Sequence, residues 1–543
     1  MSDFLNLWRG RARAAARVGL KSSASFDADP RAIVELARQR IAGPLGLPSL
    51  LRVHATGRPD APAVMFGERV TTWRELDRRV DRLANALKDR LGVRAGDAAL
   101  IVMRNRPEML EAQAALARVG AAAVNVSWRS TPDELRYLAE HSGSRAILAE
   151  ADIADALDAA RASIALPADR YVSVGGSREG YLEYDALLAS ARAERVDGQE
   201  GSVVIYTSGT TGKPKGAVRK FPKEIVWNML HILAELPMRS DDRHLAVCPM
   251  YHSTAFGFIG FTMVLGGSLV IEPTFDPERF LATVERHRVT TTAVVPTMLH
   301  RILELPEAVR RRYDTRSLHA IFSGGAPLSG ELAKRVIEEL GYVLYNFYGA
   351  TETGLNTIAT PDELLRSPGT IGHALAENEI VLLDERGHEV ADGATGELWV
   401  KNAMLVSGYH RDQDATRASM REGFFSVGDL AHRDEHGLLH LDGRKRDMII
   451  SGGVNIYPAE LEEVIHGHPN VAECAVVGIP DSEWGEKVRL YVVPREQPFD
   501  ERELVAWARQ RISNHKVPRE VRVLDELPKN PTGKVLKREL RAL

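Results

Sequence analysis

Val203-Val204-Ile205-Tyr206-Thr207-Ser208-Gly209-Thr210-Thr211-Gly212-Lys213-Pro214-Lys215-Gly216 joins a short apolar run to a stretch dense in hydrogen-bond donors. The run Val203–Tyr206 is bounded by turn residues and is predicted as a buried strand. Behind it, Gly209, Gly212 and Gly216 let backbone N–H groups approach a ligand closely. Thr207, Ser208, Thr210 and Thr211 add hydroxyls, and Lys213 and Lys215 add positive charge. Such a concentration of donors suits phosphate oxygens, and a plain Ser/Thr/Gly surface loop seldom gathers so many. A Walker A loop needs Gly-Lys-Ser/Thr opening a helix, whereas Pro214 follows Lys213 here, which disfavours a kinase or P-loop ATPase.

Similar apolar runs recur on either side: Ala98–Val102, Thr292–Val295, Ala320–Ser323 and Val343–Tyr345. Amphipathic helical stretches such as Pro277–His287 and Leu328–Glu339 lie between them. Short apolar strands alternating with helices predict an α/β architecture of parallel or mixed sheets covered on both faces. After Ile371 the texture changes. Glu379–Leu383 and Glu397–Lys401 are linked by Gly-containing turns, which predicts a small antiparallel, barrel-like unit. A second change falls at the charged stretch Gly443-Arg444-Lys445-Arg446-Asp447, placing a domain boundary between 445 and 446. The remaining 446–543 read as a compact α+β domain: helix Pro458–His466, strands Cys474–Val477 and Val488–Val493, helix Glu501–Arg511 and strand Val521–Leu524.

The 543 residues include 70 Lys+Arg against 74 Asp+Glu, a net charge of −4 that offers no general attraction for nucleic acid. Cys248 and Cys474 are too few for a disulfide framework or a zinc site, which favours a reducing cytosol. No secretory signal is visible. Phe4, Leu5, Leu7 and Trp8, with Arg9, Arg11, Arg13, Arg17 and Lys21, admit a basic amphipathic helix that touches a membrane through residues 1–20. The plainer expectation is a helix lying on the protein's own surface. From His244 to Ile271 no Asp, Glu, Lys or Arg occurs. Pro249, His252 and Gly266-Gly267 interrupt that stretch, so a buried helix followed by a buried strand, Ser268–Ile271, is expected rather than a membrane span.

From about residue 50 onward the chain resembles the adenylate-forming superfamily of acyl-CoA synthetases, luciferases and peptide-synthetase adenylation domains. The resemblance rests on Thr207–Gly216, Tyr348-Gly349-Ala350-Thr351-Glu352, Gly396-Glu397-Leu398, Gly428-Asp429, Gly443-Arg444, Ser451-Gly452-Gly453 and Pro531-Thr532-Gly533-Lys534, in that order. It implies attack of a carboxylate on the α-phosphate of ATP, giving an acyl-adenylate and pyrophosphate. Catalysis of that step is mainly positioning and electrostatic stabilisation. By resemblance, Thr207 to Lys215 hold the β- and γ-phosphates, Thr351 contacts the α-phosphate, and Glu352 holds Mg²⁺. Tyr348 stacks on adenine, and Gly324, Gly325, Ala326, Asn346, Phe347 and Gly349 complete the nucleotide site. Asp429 receives the ribose hydroxyls, Arg444 lies near ribose and phosphate, and Lys534 neutralises developing charge. Each residue alone has an ordinary structural explanation; their joint occurrence carries the implication.

The resemblance also bears on the acid. Family members that take amino acids place an Asp near Met250-Tyr251-His252-Ser253, and the charge-free segment has none, so an ammonium would be left unpaired. His252 matches the meeting point of acyl and pantetheine channels, and Phe256 matches an aromatic gating a fatty-acid tunnel. Ser451-Gly452-Gly453 resembles the loop that a rotating, mobile C-terminal domain brings to the CoA channel. The hinge carries Arg446, where the family usually has Asp or Lys. The resulting expectation is a fatty acyl-CoA synthetase using ATP, Mg²⁺ and CoA, cytosolic or peripheral on the inner face of the membrane, with a homodimer compatible. The alternatives are a fatty acyl-AMP ligase serving a carrier protein, and a non-catalytic acyl- or nucleotide-binding module.

Overall fold

Strands whose residues are buried on both faces form the centre of the N-terminal part, as the near-continuous apolar runs require. The computed structural model describes residues 13–19, 30–42, 46–197, 202–207, 215–219, 225–409, 412–451, 454–481, 484–530 and 533–543. Two large sheets are built, the strands of one falling between the first two strands of the other and the rest of them. One has seven strands, in the order Leu182–Glu183, Tyr171–Val174, Ser144–Glu150, Ala98–Val102, Ala122–Val126, Ser202–Thr207, Lys215–Arg219. Its pairings are parallel except the last, where Thr207 faces Lys215 across an antiparallel hairpin. The donor-rich segment therefore connects two antiparallel, paired strands. Its residues 208–214 lie outside the described residues.

The second sheet has nine strands. Its centre is parallel: Leu344–Ala350, Ala320–Ser323, Thr291–Val294, Arg243–Ala246, Ser268–Ile271 and Pro62–Phe66. Antiparallel strands Gly354–Ala359 and Arg69–Thr72 flank it. Helices pack on it through apolar stripes; helix Pro277–His287 matches its predicted span, with Asp276 accepting from Arg279 N–H at its start. The charge-free segment differs from expectation in one respect. It opens with the strand Arg243–Ala246, and only then comes the helix, Ser253–Leu265, and the strand Ser268–Ile271. Four residues ending in a run toward Cys248 and Pro249 are too short for periodicity to separate strand from loop.

A six-stranded sheet follows, antiparallel as expected, including Glu379–Leu383, Gly396–Lys401, Asp429–Arg433 and Leu439–Arg444. One turn of 3₁₀ helix, Lys445–Asp447, separates it from the last, five-stranded sheet. That sheet is dominated by the long pair Val471–Asp481 and Gly485–Pro494, with Glu520–Val523 parallel to the latter. Helices Pro458–His466 and Glu501–Arg509 close its core over Leu461, Val476, Leu490 and Leu504. Architecture is thus α/β with a small antiparallel unit and a smaller C-terminal α+β module, as expected.

Residues 13–19 are helical. Val18 is buried among Ile232, Leu233, Phe261 and Leu265, so this part of the N-terminal segment packs on the protein's own core. Residues 1–12, where Phe4 to Trp8 fall, lie outside the described residues. Among the described residues, no helix is long and apolar enough to cross a membrane.

Candidate active site

Parallel strands deliver their C-terminal ends to one crevice, the usual place for a ligand in such sheets. Ser323 ends one strand and Gly324-Gly325-Ala326 turns away from it; Ala350 ends the next and Thr351-Glu352 follows. The Ser253–Leu265 helix starts at the same rim. Ser253 Oγ and Thr351 Oγ1 are hydrogen-bonded at 3.1 Å, and a Cβ on Gly325 would lie 3.6 Å from Thr254 Oγ1.

Tyr348 is buried, and its hydroxyl donates to Asp429 Oδ2 at 2.8 Å. The other oxygen of Asp429 forms an ion pair with Arg444, 3.0 Å from its Nε. These three side chains come from strands facing one another between the large sheet and the six-stranded sheet, where Asp429 and Arg444 are also register partners. Burial opposes charge on Arg444, yet Asp429 raises its pKa further. Glu352 is buried, and Tyr409 Oη donates to its Oε1 at 3.1 Å. Burial raises the Glu352 pKa, the response of a carboxylate poorly supplied with positive charge. Its donor chemistry fits a hard cation shared with phosphate oxygens. Among the described residues no group of three or more His, Cys, Asp or Glu is poised to hold a metal alone.

Lys534 sits on a turn in which Gly533 N–H donates to Asn530 carbonyl and Lys534 N–H to Asn530 Oδ1, both at 2.9 Å. Gly533 has φ +79°, and a Cβ there would lie 2.6 Å from Thr297 Oγ1 on helix Pro296–Leu303, so both conformation and space require glycine. The turn brings Lys534 into the field of Arg444, Asp429, Arg446 and Asp447. Burial, then Arg444, lower its pKa to about 8. Arg446 is likewise lowered by burial and by Arg444, and no ion pair engages it among the described residues. Its neighbour Asp447 pairs with Arg541 at 2.9 Å.

Two residues expected at the nucleotide site are engaged by the fold. Asn346 is 2% exposed and donates to the Thr370 carbonyl at 2.8 Å, which commits one of its amide hydrogens to the fold. Phe347 points to the opposite side of its strand from Tyr348, as period-two alternation demands. Its ring covers Gly324, where a Cβ would lie 2.5 Å away, and joins Phe258 and Phe322 in an aromatic cluster. Only the Phe347 backbone remains for a nucleotide. At Gly349 a Cβ would strike the Gly354 carbonyl oxygen of the adjacent strand, so glycine is required there by packing.

His252 lies at the N-cap of the Ser253–Leu265 helix, its N–H donating to the Pro249 carbonyl at 2.9 Å. Burial lowers its pKa to about 4, so the imidazole is neutral near pH 7. Phe256 is partly buried one turn on. Along this helix Ser253, Gly257, Gly260 and Val264 fall at i, i+4, i+7 and i+11, one face, and all are partly exposed while Phe258, Phe261 and Leu265 are buried. A Cβ at Gly257 or Gly260 would meet nothing within 4 Å. An open strip therefore leads from Thr351 along an otherwise buried apolar helix. Asn228, on helix Ile225–Glu235, is fully buried, and neither amide atom has a hydrogen-bond partner among the described residues. Ser451 ends a strand whose hairpin partner begins at Val454; Gly452 and Gly453 lie outside the described residues, as do the side chains of Thr207 and Lys215. Sequence reading missed Tyr409, Thr297 and the Asn228 amide, because each owes its place to contacts distant in sequence.

Residues 51–410 match the model of the AMP-binding enzyme family, and residues 460–534 match its C-terminal domain. The chain belongs to the AMP-binding enzyme family. A feruloyl-CoA synthase of Amycolatopsis sp is 35% identical over 486 residues, covering 89% of this chain and 96% of that one. A long-chain-fatty-acid–CoA ligase of Mycobacterium tuberculosis is 31% identical over 504 residues, covering 91% and 97%. Among solved structures, an amide bond synthetase from Marinactinospora thermotolerans superposes with a TM-score of 0.81 at 27% identity, covering 89% of this chain and 96% of that one. This AMP-binding enzyme is an adenylate-forming acyl- or aryl-CoA ligase, and such ligases use ATP and CoA.

Proposed function

We propose that this protein joins a slender, apolar carboxylic acid to CoA, with an aryl-substituted acid first and a medium- or long-chain fatty acid second. The observation that carries the reading is the open strip over Gly257 and Gly260, which starts beside Thr351 on a helix that carries no charged residue. A second ionised group on the acid would be desolvated there with no partner on that helix. The higher identity to a feruloyl-CoA synthase supports putting the aryl acid ahead of the fatty acid expected from sequence. The continuation of the strip to Val264, about 16 Å beyond Ser253 at 1.5 Å per residue, supports the fatty acid as the second reading.

In this reading a carboxylate oxygen attacks the α-phosphorus, the bond to pyrophosphate breaks, and the CoA thiol later displaces AMP, releasing its proton. The segment 207–215 and Lys534 bind phosphate oxygens, Thr351 orients the α-phosphate, and Tyr348 stacks on adenine beside Gly324, Gly325 and Ala326. Asp429 accepts from the ribose while Arg444 holds its carboxylate in place. Glu352 would hold Mg²⁺, which neutralises phosphate charge when bound. Arg446, at the boundary between domains 1–445 and 446–543, serves as the hinge, and Ser451-Gly452-Gly453 with His252 forms the route for pantetheine.

CoA-dependent AMP release with benzoate, cinnamate, ferulate, and the straight-chain acids from acetate to stearate tests the proposal. The aryl reading expects the highest kcat/KM with a cinnamate-type acid. The fatty reading expects kcat/KM to climb with chain length, each buried methylene contributing about 0.8 kcal/mol. A maximum at acetate overturns both.

A further inference from the structure

Helix Pro296–Leu303 buries Leu299, Ile302 and Leu303 in the large sheet's core. Its outward face carries Thr297, His300 and, at the C-cap, Glu304, spaced i, i+3 and i+7 and so aligned. Each meets the C-terminal module. Thr297 abuts Gly533 in the turn that bears Lys534. His300 lies in the field of Arg495 and Glu473 and is electrostatically coupled to His466 on helix Pro458–His466. Glu304 Oε1 accepts from Arg495 Nη1 at 2.9 Å, and Arg335 Nη2 lies 3.6 Å from the same oxygen. Arg495 directly follows Pro494, the last residue of the long strand Gly485–Pro494, a rigid element, so this ion pair fixes the module's strands relative to the helix.

We propose that Glu304 and Arg495 are positioning residues for adenylation: their ion pair seats the C-terminal module along the outward face of helix Pro296–Leu303 and thereby holds Lys534 at the Asp429–Arg444 pair. Thr297 and Glu304 sit at opposite ends of the helix, about 10 Å apart at 1.5 Å per residue. The contact at Thr297 fixes one end of this helix against the module, and the charged contact at Glu304 fixes the other. The inference concerns docking and does not depend on which acid is activated.

Hydrogen exchange of the full-length, ligand-free protein tests it in wild type, Glu304→Lys, Arg495→Glu and the double exchange. Either single variant is expected to speed exchange about two- to five-fold in the peptides covering 296–304 and 527–537, the range of a partly exposed ion pair. The double exchange, which restores opposite charges, is expected to return both peptides toward wild-type rates. Exchange in strands Val471–Asp481 and Gly485–Pro494 should stay unchanged, because undocking leaves the module folded. The proposal is overturned if the single variants leave both peptides unchanged, if the double exchange is worse than either single, or if the strands of the module exchange faster as well, which marks unfolding.

Discussion

Ser253 Oγ and Thr351 Oγ1 share a hydrogen bond of 3.1 Å, so the first turn of the acyl-side helix is tied to the motif expected to hold the α-phosphate. Thr351 follows a strand of the large sheet and Ser253 begins a separate helix. The bond therefore sets where the acid's carboxylate arrives relative to the phosphorus. Ser253→Ala removes one neutral hydrogen bond, worth about 0.5–1.5 kcal/mol, and should lower kcat for pyrophosphate exchange about two- to tenfold. Conversion of preformed acyl-AMP to acyl-CoA should be unaffected. An equal loss in both half-reactions would remove the assigned role.

Gly260 makes a two-sided prediction. A methyl group there meets nothing within 4 Å, so Gly260→Ala gains helix propensity and should stabilise the free protein by about 0.5–1 kcal/mol in urea unfolding. Gly260→Leu, by contrast, places a branched chain in the strip. It should lower kcat/KM at least about tenfold for ferulate or dodecanoate while leaving a short acid such as propionate near its wild-type value. A uniform loss across all acids would show that the strip is not the acyl site.

Asn228 is buried, and both amide atoms lack a partner among the described residues. A desolvated amide without a partner costs about 1–3 kcal/mol, so Asn228→Leu, close in size, should raise the stability of the ligand-free protein by about 1–2 kcal/mol. Thermal unfolding without substrate is the direct measurement. A fall in stability would mean that the amide is satisfied in solution.

Much of this was legible in sequence because it is local. Val203–Tyr206 and Ala320–Ser323 announce themselves as apolar runs between turn residues, and the helix Pro277–His287 by its stripe and its Asp276 cap. The motifs containing Thr351, Asp429 and Lys534 were found as short strings. That Asp429 is bridged to Tyr348 and Arg444 was not readable, since the partners of Asp429 lie on separate strands and only register brings them together. That the Phe347 ring packs on Gly324 and Phe258 is not readable from the motif its neighbour Tyr348 carries, since strand alternation sends the two rings to opposite faces. Glu304 and Arg495 gave no signal at all: each looks like an ordinary exposed charge until the C-terminal module is folded back onto its helix.

Lys534 supplies the final prediction, through its pKa. Burial and Arg444 lower it to about 8, so in the free enzyme the ammonium is mostly charged at pH 7 and mostly neutral at pH 9.5. Only the charged form stabilises negative charge growing on the α-phosphate, so activity is present below the pKa and lost as pH rises through it. Because kcat/KM reports the free enzyme, kcat/KM for ATP in pyrophosphate exchange should fall above about pH 8, approaching about tenfold per pH unit. The kcat limb should lie at higher pH, since bound triphosphate favours the cation. Lys534→Arg should flatten the limb, because a guanidinium stays charged throughout. Lys534→Ala should lower adenylation about 100- to 1000-fold at pH 7 and abolish the limb, yet leave conversion of supplied acyl-AMP to acyl-CoA near wild type. If the alkaline limb survives in Lys534→Ala, another group titrates there and the lysine does not supply the charge.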